Sequence, residues 1–453
     1  MFKIQCTCEV FKKEVKEKIE GLKTNRNYRT PLNESFNIKQ LSEDLFRHES
    51  GKMTAVLTKI FGTENLDLSE DVVQETFISA MQIWPLKGIP DNPSAWLFRT
   101  ARNKAIDILR RNKFTSRFDF TEGDKKLLQS GYTLTAIAEK IMNEESIKDD
   151  QLRMMYACCH NDILQENQII LILKTLCGFS TGEIAKAFLI SEENVTKKLY
   201  RTKTFFRENR IRPEFPPPGE IKTRSGAVLR AIYLIYNEGY NASHNTEWIR
   251  KDLVDQSMYL CRLLVENEKT QLPEVYAAMA LMCFHTSRMN SRISENGDII
   301  LLAEQNRSKW NRQLIEEGNY FMNKAAFGDV ITSYHAEAAI AYEHCAAKSF
   351  EETNWKNILS YYDILAAINP GSIVFLHRLA VIYRVYGSNQ ALKEIENSPY
   401  QAEWEKNYLY YSLLGDIYAE IAPRVAEMNY RTAIELTRSD AEKKLLHKKI
   451  AEL

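Results

Sequence analysis

The fold is decided by residues 179–203, which read FSTGEIAKAFLISEENVTKKLYRTK. Ser180 stands three residues before Glu183, which is the spacing of a capping box at the start of a helix. Ser191 is predicted to cap a second helix, because two glutamates follow it and would lie in the positive first turn. Two short capped helices joined this tightly are typical of a helix-turn-helix.

This hairpin is predicted to read duplex DNA through its second helix. Val195, Leu199 and Phe206 would face inward, so the polar side chains between them would point outward. The second helix of such a motif enters the major groove, where basic and amide side chains contact phosphates and base edges. A purely structural helical hairpin is the alternative. The predicted DNA-facing residues are Thr181, Asn194, Thr196, Lys197, Lys198, Arg201 and Lys203.

A second basic helix is predicted over residues 94–113. Its apolar side chains recur at helical spacing, and only Asp107 offsets the positive charge on the other face. Beside the proline-rich segment 85–93, such a helix could hold unstacked bases of single-stranded DNA. A solvated basic face is the alternative. The candidate DNA contacts are Trp96, Arg99, Arg102, Asn103, Lys104, Arg110 and Arg111.

Composition limits the class of protein. The 453 residues suffice for two to four domains, and 60 basic residues balance 60 acidic ones. This zero net charge excludes a uniformly basic nucleic-acid binder, although a local basic stripe is enough to bind DNA. No apolar run reaches about 18 residues, and the charged N-terminus lacks a signal core. We therefore expect a cytoplasmic protein that does not associate with membranes.

Helical spacing of apolar residues along nearly the whole chain predicts an all-α fold. Three consecutive prolines within Pro213–Gly219 predict an extended spacer between domains. Small residues and aromatics near the end, such as Gly415 and Tyr430, favour tetratricopeptide-like helix pairs over an ordinary bundle. The predicted organisation is a poorly packed leader at 1–34, a helical domain at 35–115, a linker at 116–148, a helix-turn-helix domain at 149–212, a proline-rich linker at 213–222 and a helical domain at 223–453, tetratricopeptide-like toward 335–453.

Motifs for catalysis are absent from the sequence. It contains no phosphate-cradling glycine loop, no HExxH pair and no nucleophile elbow, so we predict neither an enzyme nor a cofactor. The segment Cys158-Cys159-His160 has metal-ligating side chains but lacks a second ligand pair at zinc spacing. No metal site is therefore predicted. His344 is expected to be a packing residue.

Taken in order, these segments resemble the extracytoplasmic-function sigma factors of bacterial RNA polymerase. Residues 68–84, LSEDVVQETFISAMQIW, are similar to the region-two helix that docks on the polymerase clamp. The resemblance implies that core polymerase is contacted at or near four positions of this helix. From the residues alone, the segment is a plain amphipathic helix with Phe77 in its core stripe. The implied contacts are Asp71, Gln74, Glu75 and Phe77.

The resemblance extends over most of the chain. Residues 92–111 are similar to the helix that reads the melted −10 promoter element, and the helix-turn-helix is similar to region four, which reads the −35 element. The stretches 231–240, 280–285 and 301–310 resemble a subgroup whose long C-terminal extension is tetratricopeptide-like and regulatory. The usual Asp-Arg-Ser of that subgroup stands here as Asn306-Arg-Ser308.

The resemblance implies a sigma factor that binds core RNA polymerase and promoter DNA, with a regulatory protein or ligand acting on the extension. The alternative is a stand-alone regulator, in which a ligand- or partner-sensing helical-repeat domain controls the helix-turn-helix. That regulator leaves the helices at 68–84 and 94–113 unexplained. We also hypothesise that the stretch 236–240, YNEGY, takes part in regulation. Charge reversal at Glu238 would then alter promoter output without unfolding the protein, and unchanged output would contradict the idea.

Overall fold

A computed structural model describes residues 31–111, 144–188, 190–240, 250–294, 298–437 and 439–453. The side chains of residues 31–40, 42–44, 110–111 and 144–145 are outside this description. Regular structure in these ranges is helical, apart from an isolated bridge between Ile293 and Ile299. The predicted all-α class is therefore confirmed. Most of the predicted leader and linker lies outside the described residues. None of the described helices is long and apolar enough to cross a membrane.

Three helices form the first compact unit, which covers the described residues up to Ile147 together with Thr175–Gly178. They are α1 (Pro31–Phe61), α2 (Leu66–Lys87) and α3 (Pro93–Arg111). Each helix contributes an apolar stripe to one core, as helices with apolar residues at three- and four-residue spacing must. The core includes Met53, Leu57, Phe61, Val72, Phe77, Trp84, Leu97 and Ala101.

Helix α2 runs through Pro85, where the sequence had favoured the start of a loop. It continues to Lys87, and Gly88 ends it with a φ of 84°. Proline lacks the amide proton that would bond to the carbonyl of Met81. Both residues are exposed, so water can hydrogen-bond to that carbonyl.

The second compact unit contains Lys148–Lys174 and Phe179–Leu453. Its first four helices lie on the N-terminal side of the prolines, and the others form the extension. The first four are α4 (Glu144–Cys158), α5 (Gln165–Thr175), α6 (Thr181–Phe188) and α7 (Glu192–Asn209). The extension begins with α8 (Ile221–Tyr240), α9 (Lys251–Glu266), α10 (Pro273–Ser287), α11 (Arg312–Ala325) and α12 (Ser333–Ala346). It continues with α13 (Trp355–Ile368), α14 (Ser372–Tyr386), α15 (Ser388–Glu396), α16 (Gln401–Trp404), α17 (Tyr408–Tyr418), α18 (Pro423–Leu436) and α19 (Asp440–Ala451).

Helix α10 forms the centre of the extension. Every residue from Val275 to Phe284 is buried, and the helix packs against α8, α9, α11 and α12. A helix that is apolar all round is stable only when other elements surround it. The second half of the extension instead pairs consecutive helices, such as α13 with α14 and α17 with α18.

The pair α17–α18 confirms the predicted role of small and aromatic residues. A Cβ atom at Gly415 would stand 2.3 Å from the ring of Tyr430, so only glycine allows this approach. The Tyr430 hydroxyl donates to Asp416 Oδ1 at 2.7 Å, which fixes the ring in the gap. The wider tetratricopeptide-like organisation stays a prediction.

Candidate nucleic-acid and polymerase interfaces

The N-terminus of α3 is fixed by side-chain hydrogen bonds. Pro93 occupies the first helical position, where its missing amide proton costs nothing. Asn92 Oδ1 accepts the Ala95 N–H at 3.0 Å, so it satisfies one free donor of the first turn. Ser94 Oγ donates to Glu49 Oε1 of α1 at 3.1 Å. These bonds set the direction in which α3 leaves the loop.

The inner face of α3 packs into the first unit, as its spacing predicted. Leu97, Ala101 and Ala105 are buried. Trp96 is half-buried, with its ring centroid 5.5 Å from that of Trp84 in an edge-to-face arrangement. The packing therefore holds Trp96 while leaving part of its ring accessible.

The structure describes four further predicted DNA contacts on α3. Arg99 and Asn103 are exposed, and Arg102 is half-buried. Lys104 is half-buried, and its Nζ lies 3.1 Å from Glu75 Oε2 of α2. The side chains of Arg110 and Arg111, at the end of the helix, lie outside those described. Among the described members of the set, Arg99 and Asn103 are the most accessible.

Helix α2 places its four predicted polymerase contacts on two different faces. Asp71, Gln74 and Glu75 are exposed. Phe77 is only 4% exposed, and its ring centroid lies 4.9 Å from that of Phe46. Phe77 thus supports α2 from inside the core, whereas the other three can meet a partner directly.

Two further residues lie on the exposed face of α2. Ile78 is 47% exposed and Met81 is 45% exposed, and both continue the row begun by Gln74 and Glu75 at helical spacing. Sequence reasoning did not single them out. The available signal was their position opposite the buried stripe, because large apolar residues on a polar face favour a protein interface.

Helices α6 and α7 have the predicted caps. Ser180 N–H donates to Glu183 Oε2 at 2.8 Å, and Glu183 N–H donates to Ser180 Oγ at 3.2 Å. Ser191 Oγ accepts the Asn194 N–H at 3.2 Å. These bonds confirm the capping box and the second N-cap. They determine where each helix begins and therefore which residues of α7 face outward.

The outer face of α7 is polar and accessible. Asn194, Thr196, Lys197 and Arg201 are exposed, while Val195, Leu199 and Phe206 are buried. Lys197 also lies 2.7 Å from Glu193, one turn earlier. Because both side chains of this pair are exposed, it holds Lys197 only weakly.

The other predicted residues of this hairpin are partly buried. Thr181 and Lys203 are half-buried. Lys198 Nζ lies 2.7 Å from Glu166 Oε2 of α5, which links the two helices. Tyr200, 68% exposed, was missed. Its signal was an aromatic residue on the polar face of a basic helix, where it could stack or hydrogen-bond.

The side chains of Cys158, Cys159 and His160 have different surroundings. Both thiols are buried, and burial raises the pKa of the Cys159 thiol, which disfavours the thiolate that a metal needs. In the part of the chain that the structure describes, no three His, Cys, Asp or Glu side chains converge as ligands. The His160 ring packs instead on Phe205, with 5.6 Å between centroids.

Comparison with known proteins agrees with this arrangement. The Sigma-70 region 2 family matches residues 45–115, which contain α2 and α3, and a family of unknown function (DUF6596) matches residues 224–326 in the extension. An uncharacterized protein of Rhizobium meliloti (strain 1021) is 32% identical over 357 residues, which cover 79% of this chain and 83% of that protein. No solved structure matches this chain.

Two further relatives are named as sigma factors. A probable RNA polymerase sigma factor of Haemophilus influenzae is 24% identical over 143 residues, or 30% of this chain and 74% of that protein. The ECF RNA polymerase sigma factor SigX of Bacillus subtilis is 25% identical over 138 residues, or 29% of this chain and 66% of that protein. The chain belongs to the ECF-like sigma factors that carry a long C-terminal extension. This sigma factor family acts in transcription initiation and is not enzymatic.

In this sigma factor the extension packs directly on α4. The Tyr156 hydroxyl and Ser225 Oγ are 2.6 Å apart and buried, and the Tyr259 hydroxyl donates to Gln151 Oε1 at 2.6 Å. The proline-rich segment is also held, because the Phe215 ring lies 5.9 Å from that of Tyr156. Residues on both sides of the prolines are thus part of one compact unit.

The extension of this sigma factor departs from the subgroup's pattern at Asn306. Its Oδ1 accepts the Ser308 N–H at 3.0 Å, a bond that a carboxylate would accept equally well. Arg307 Nη1 donates to the carbonyl of Ala347 at 2.9 Å. The local turn therefore forms without the missing carboxylate.

Proposed function

We propose that this protein binds core RNA polymerase and directs initiation at specific promoters, and that its extension regulates this activity. It would act by binding, in the compartment where RNA polymerase works. The observation that carries the proposal is the pairing of two surfaces on the region-two helices. Helix α3 presents Arg99 and Asn103 to solvent, and α2 presents a row of acidic, amide and apolar residues.

The chemistry of α3 supports capture of separated DNA strands. Arg99 can neutralise a phosphate, and the Asn103 amide can hydrogen-bond a base edge one turn further on. Trp96 lies at the start of the same helix, where an aromatic face could stack on an unpaired base. Because α3 is anchored by Leu97 and Ala101 in the core, these groups project from a rigid support.

The chemistry of α2 supports docking on polymerase. Asp71 and Glu75 would steer the helix toward a basic surface, and Ile78 and Met81 would then supply apolar contact. The ion pair between Glu75 and Lys104 connects this surface with the DNA-facing helix. Docking could therefore reorient Lys104 toward DNA.

Helix α7 is proposed to read the −35 element as duplex. Thr196, Lys197 and Arg201 lie on one accessible face, with Tyr200 beside them. Within the second unit the extension packs on α4 and leaves this face exposed. We therefore propose that the extension regulates the factor without covering its −35 surface.

The test is transcription by purified core polymerase with and without the full-length protein, on genomic fragments that include its own upstream region. We expect specific starts that require the protein. Replacing Arg99 and Asn103 together by alanine should lower initiation by about tenfold, the scale of one or two lost base or phosphate contacts. The matched control replaces Arg424 and Asn429 of α18 by alanine and should initiate normally.

The transcription assay distinguishes a wrong assignment of α3, a stand-alone regulator and a folding defect. Initiation that is insensitive to the Arg99 and Asn103 changes would reject the assigned role of α3. Absence of initiation, with retained binding to duplex DNA, would favour the stand-alone regulator instead. Loss of activity in the α18 control as well would indicate a general folding defect rather than a lost contact.

A further inference from the structure

A cavity of about 940 Å³ lies within the second unit. Side chains from α8, α10, α12, α13 and α14 of the extension line it, and Glu166 of α5 and Phe188 of α6 close one side. Its volume falls within the range of small-molecule sites, which is about 300–1,000 Å³. Neither the proposed promoter contacts nor the proposed polymerase contacts use it.

One wall of the cavity is cationic. Arg288 and Arg292 both line it, and their guanidinium carbons lie 5.8 Å and 3.9 Å from the centroid of the Tyr240 ring. Among the described residues, no carboxylate is within ion-pair distance of Arg288; its Nη2 instead lies 3.4 Å from His285 Nδ1. An arginine that faces a cavity without a carboxylate partner is well suited to bind an anionic ligand.

Two buried polar groups on the same cavity have no hydrogen bond of normal distance and angle. Tyr240 is only 4% exposed, and its hydroxyl forms no hydrogen bond of normal geometry, although it interacts with the Arg292 guanidinium. The Nδ1 atom of His344 forms no such hydrogen bond either, although the ring packs edge-to-face on Trp355 as a packing residue would. Buried polar groups are usually satisfied in native proteins, so these two atoms are available to pair with a polar group that enters the cavity.

Neutral imidazoles complete this wall. Burial, strengthened by the neighbouring arginines, lowers the pKa of His285 well below its usual value and that of His344 to about 3. Both rings are therefore uncharged near pH 7 and can accept or donate one hydrogen bond each. Among the described residues that line the cavity, the positive charge therefore belongs to Arg288 and Arg292.

The rest of the cavity is mixed in character. Glu337 accepts a hydrogen bond from the Tyr233 hydroxyl, and Glu238 lines the cavity nearby. Leu234 and Ile340 add apolar surface. An anion bound by the arginines would therefore carry an organic body with apolar carbons and further polar groups.

We propose that this cavity binds a small organic anion whose carboxylate or phosphate group lies between Arg288, Arg292 and the Tyr240 hydroxyl. Such a ligand would occupy a space shared by the extension and by α5 and α6. Its binding would therefore change how firmly the extension holds these helices. The proposal does not rest on promoter recognition, because it can be tested by binding alone.

The test is isothermal titration calorimetry of the full-length protein with succinate and, separately, with inorganic phosphate. Succinamide, which has the shape of succinate without its charge, is the ligand control. We expect saturable binding of at least one of the two anions and none of succinamide. Arg288→Gln should weaken that binding by about tenfold, which is typical for loss of a charge-assisted hydrogen bond. Arg431→Gln, at an exposed position on α18, should bind normally.

A second variant separates binding from folding. Tyr240→Phe removes a hydroxyl that forms no hydrogen bond of normal geometry in the protein, so it should weaken anion binding with little change in the thermal midpoint. Binding of succinate alone would assign a carboxylate ligand, and binding of phosphate alone would assign a phosphorylated one. If neither anion binds, or if Arg288→Gln and Tyr240→Phe bind as tightly as the wild type, the proposal is wrong.

Discussion

At the scale of single residues, Gly415 is a position where only glycine fits against its neighbour, the Tyr430 ring. Its Cα faces the Tyr430 ring, which is 3% exposed and held by Asp416, so the ring cannot retreat. Gly415→Ala should lower the free energy of unfolding by about 1–3 kcal/mol, the usual cost of overpacking. Urea unfolding followed by circular dichroism measures this change.

The matched control is Gly226→Ala in α8. A Cβ atom there would meet no atom within 4 Å, so the substitution adds helix propensity without a clash. It should raise the free energy of unfolding by about 0.5–1 kcal/mol. Equal stability of the two variants would mean that α17 and α18 do not approach as closely as the structure has them.

Glu238 provides a pH prediction at the same scale. Burial raises the pKa of this carboxyl to about 7, from an unfolded value near 4.5. The folded protein therefore binds more protons than the unfolded chain between these values, so Glu238 makes stability fall as pH rises from about 4.5 to 7. Glu238→Gln should have little effect at pH 4 and should stabilise the protein at pH 8.

Urea unfolding of wild type and Glu238→Gln at pH 4 and pH 8 measures this difference. The comparison between variants isolates Glu238, since all other titrating groups are shared. A larger stabilisation at pH 4 than at pH 8 would contradict a raised pKa. The outcome also bears on the hypothesis that charge reversal at Glu238 alters promoter output, because such a change would add a permanent charge to a partly buried position.

At the scale of elements, α2 has two opposed faces with separate roles. The inner face, with Val72 and Trp84, stabilises the first unit, and the outer face carries Met81. Because Met81 is 45% exposed, Met81→Ser should leave the thermal midpoint nearly unchanged. It should weaken binding to core polymerase by about tenfold, as loss of an apolar contact near the centre of an interface does.

Binding of labelled protein to core polymerase, followed by fluorescence anisotropy, tests this prediction. The control is Met428→Ser on α18, where the side chain is 68% exposed and outside region two. It should bind like the wild type. If both serine variants bind equally well, the outer face of α2 is not the docking surface.

At the scale of elements, the helix caps could be predicted from local sequence pattern, whereas the end of α2 could not. Ser180, Glu183 and Ser191 were assigned as caps from spacing alone, and the structure has these bonds. Capping depends on residues three positions apart, so the sequence contains all the information needed. The loop predicted to begin at Pro85 was wrong, because α2 continues to Lys87. Whether a proline ends a helix depends in part on whether solvent can hydrogen-bond to the freed carbonyl.

At the scale of the whole molecule, the prolines of segment 213–219 favour an extended spacer, whereas the contacts of Phe215 hold this segment against its neighbours. Three consecutive prolines predict an extended spacer, and the Phe215 ring in this segment lies 4.9 Å from both the Arg153 guanidinium carbon and Lys269 Nζ. Phe215→Ala should therefore loosen the segment 213–219, make it cleavable by a broad-specificity protease and lower stability by about 1–3 kcal/mol.

Limited proteolysis with mass spectrometry tests this prediction. The control, Tyr386→Ala, removes an aromatic side chain that is 62% exposed, and it should leave the cleavage pattern unchanged. Rapid cleavage of the wild type within 213–219 would mean that the segment behaves as the spacer that the prolines alone predict. If the wild type and Phe215→Ala are equally protected from cleavage, Phe215 does not hold the segment in place.

The sequence by itself determined the caps of α6 and α7 and the buried stripes of α2, α3 and α7, and the family resemblance assigned roles to them. These features depend on residues three or four positions apart, or on the order of segments along the chain. The exposed positions of Arg99, Asn103 and Arg201 followed from the same periodicity.

Only the tertiary structure decided which distant residues meet. The contacts of Tyr156 with Ser225 and of Tyr259 with Gln151 join positions 69 and 108 residues apart. The cavity collects side chains from helices spread over more than two hundred residues, between Gln165 and His377. Helical periodicity says which face of a helix is apolar, but many packings can bury that face. The choice among them comes from shape, charge and hydrogen-bond matching between surfaces that are distant in sequence.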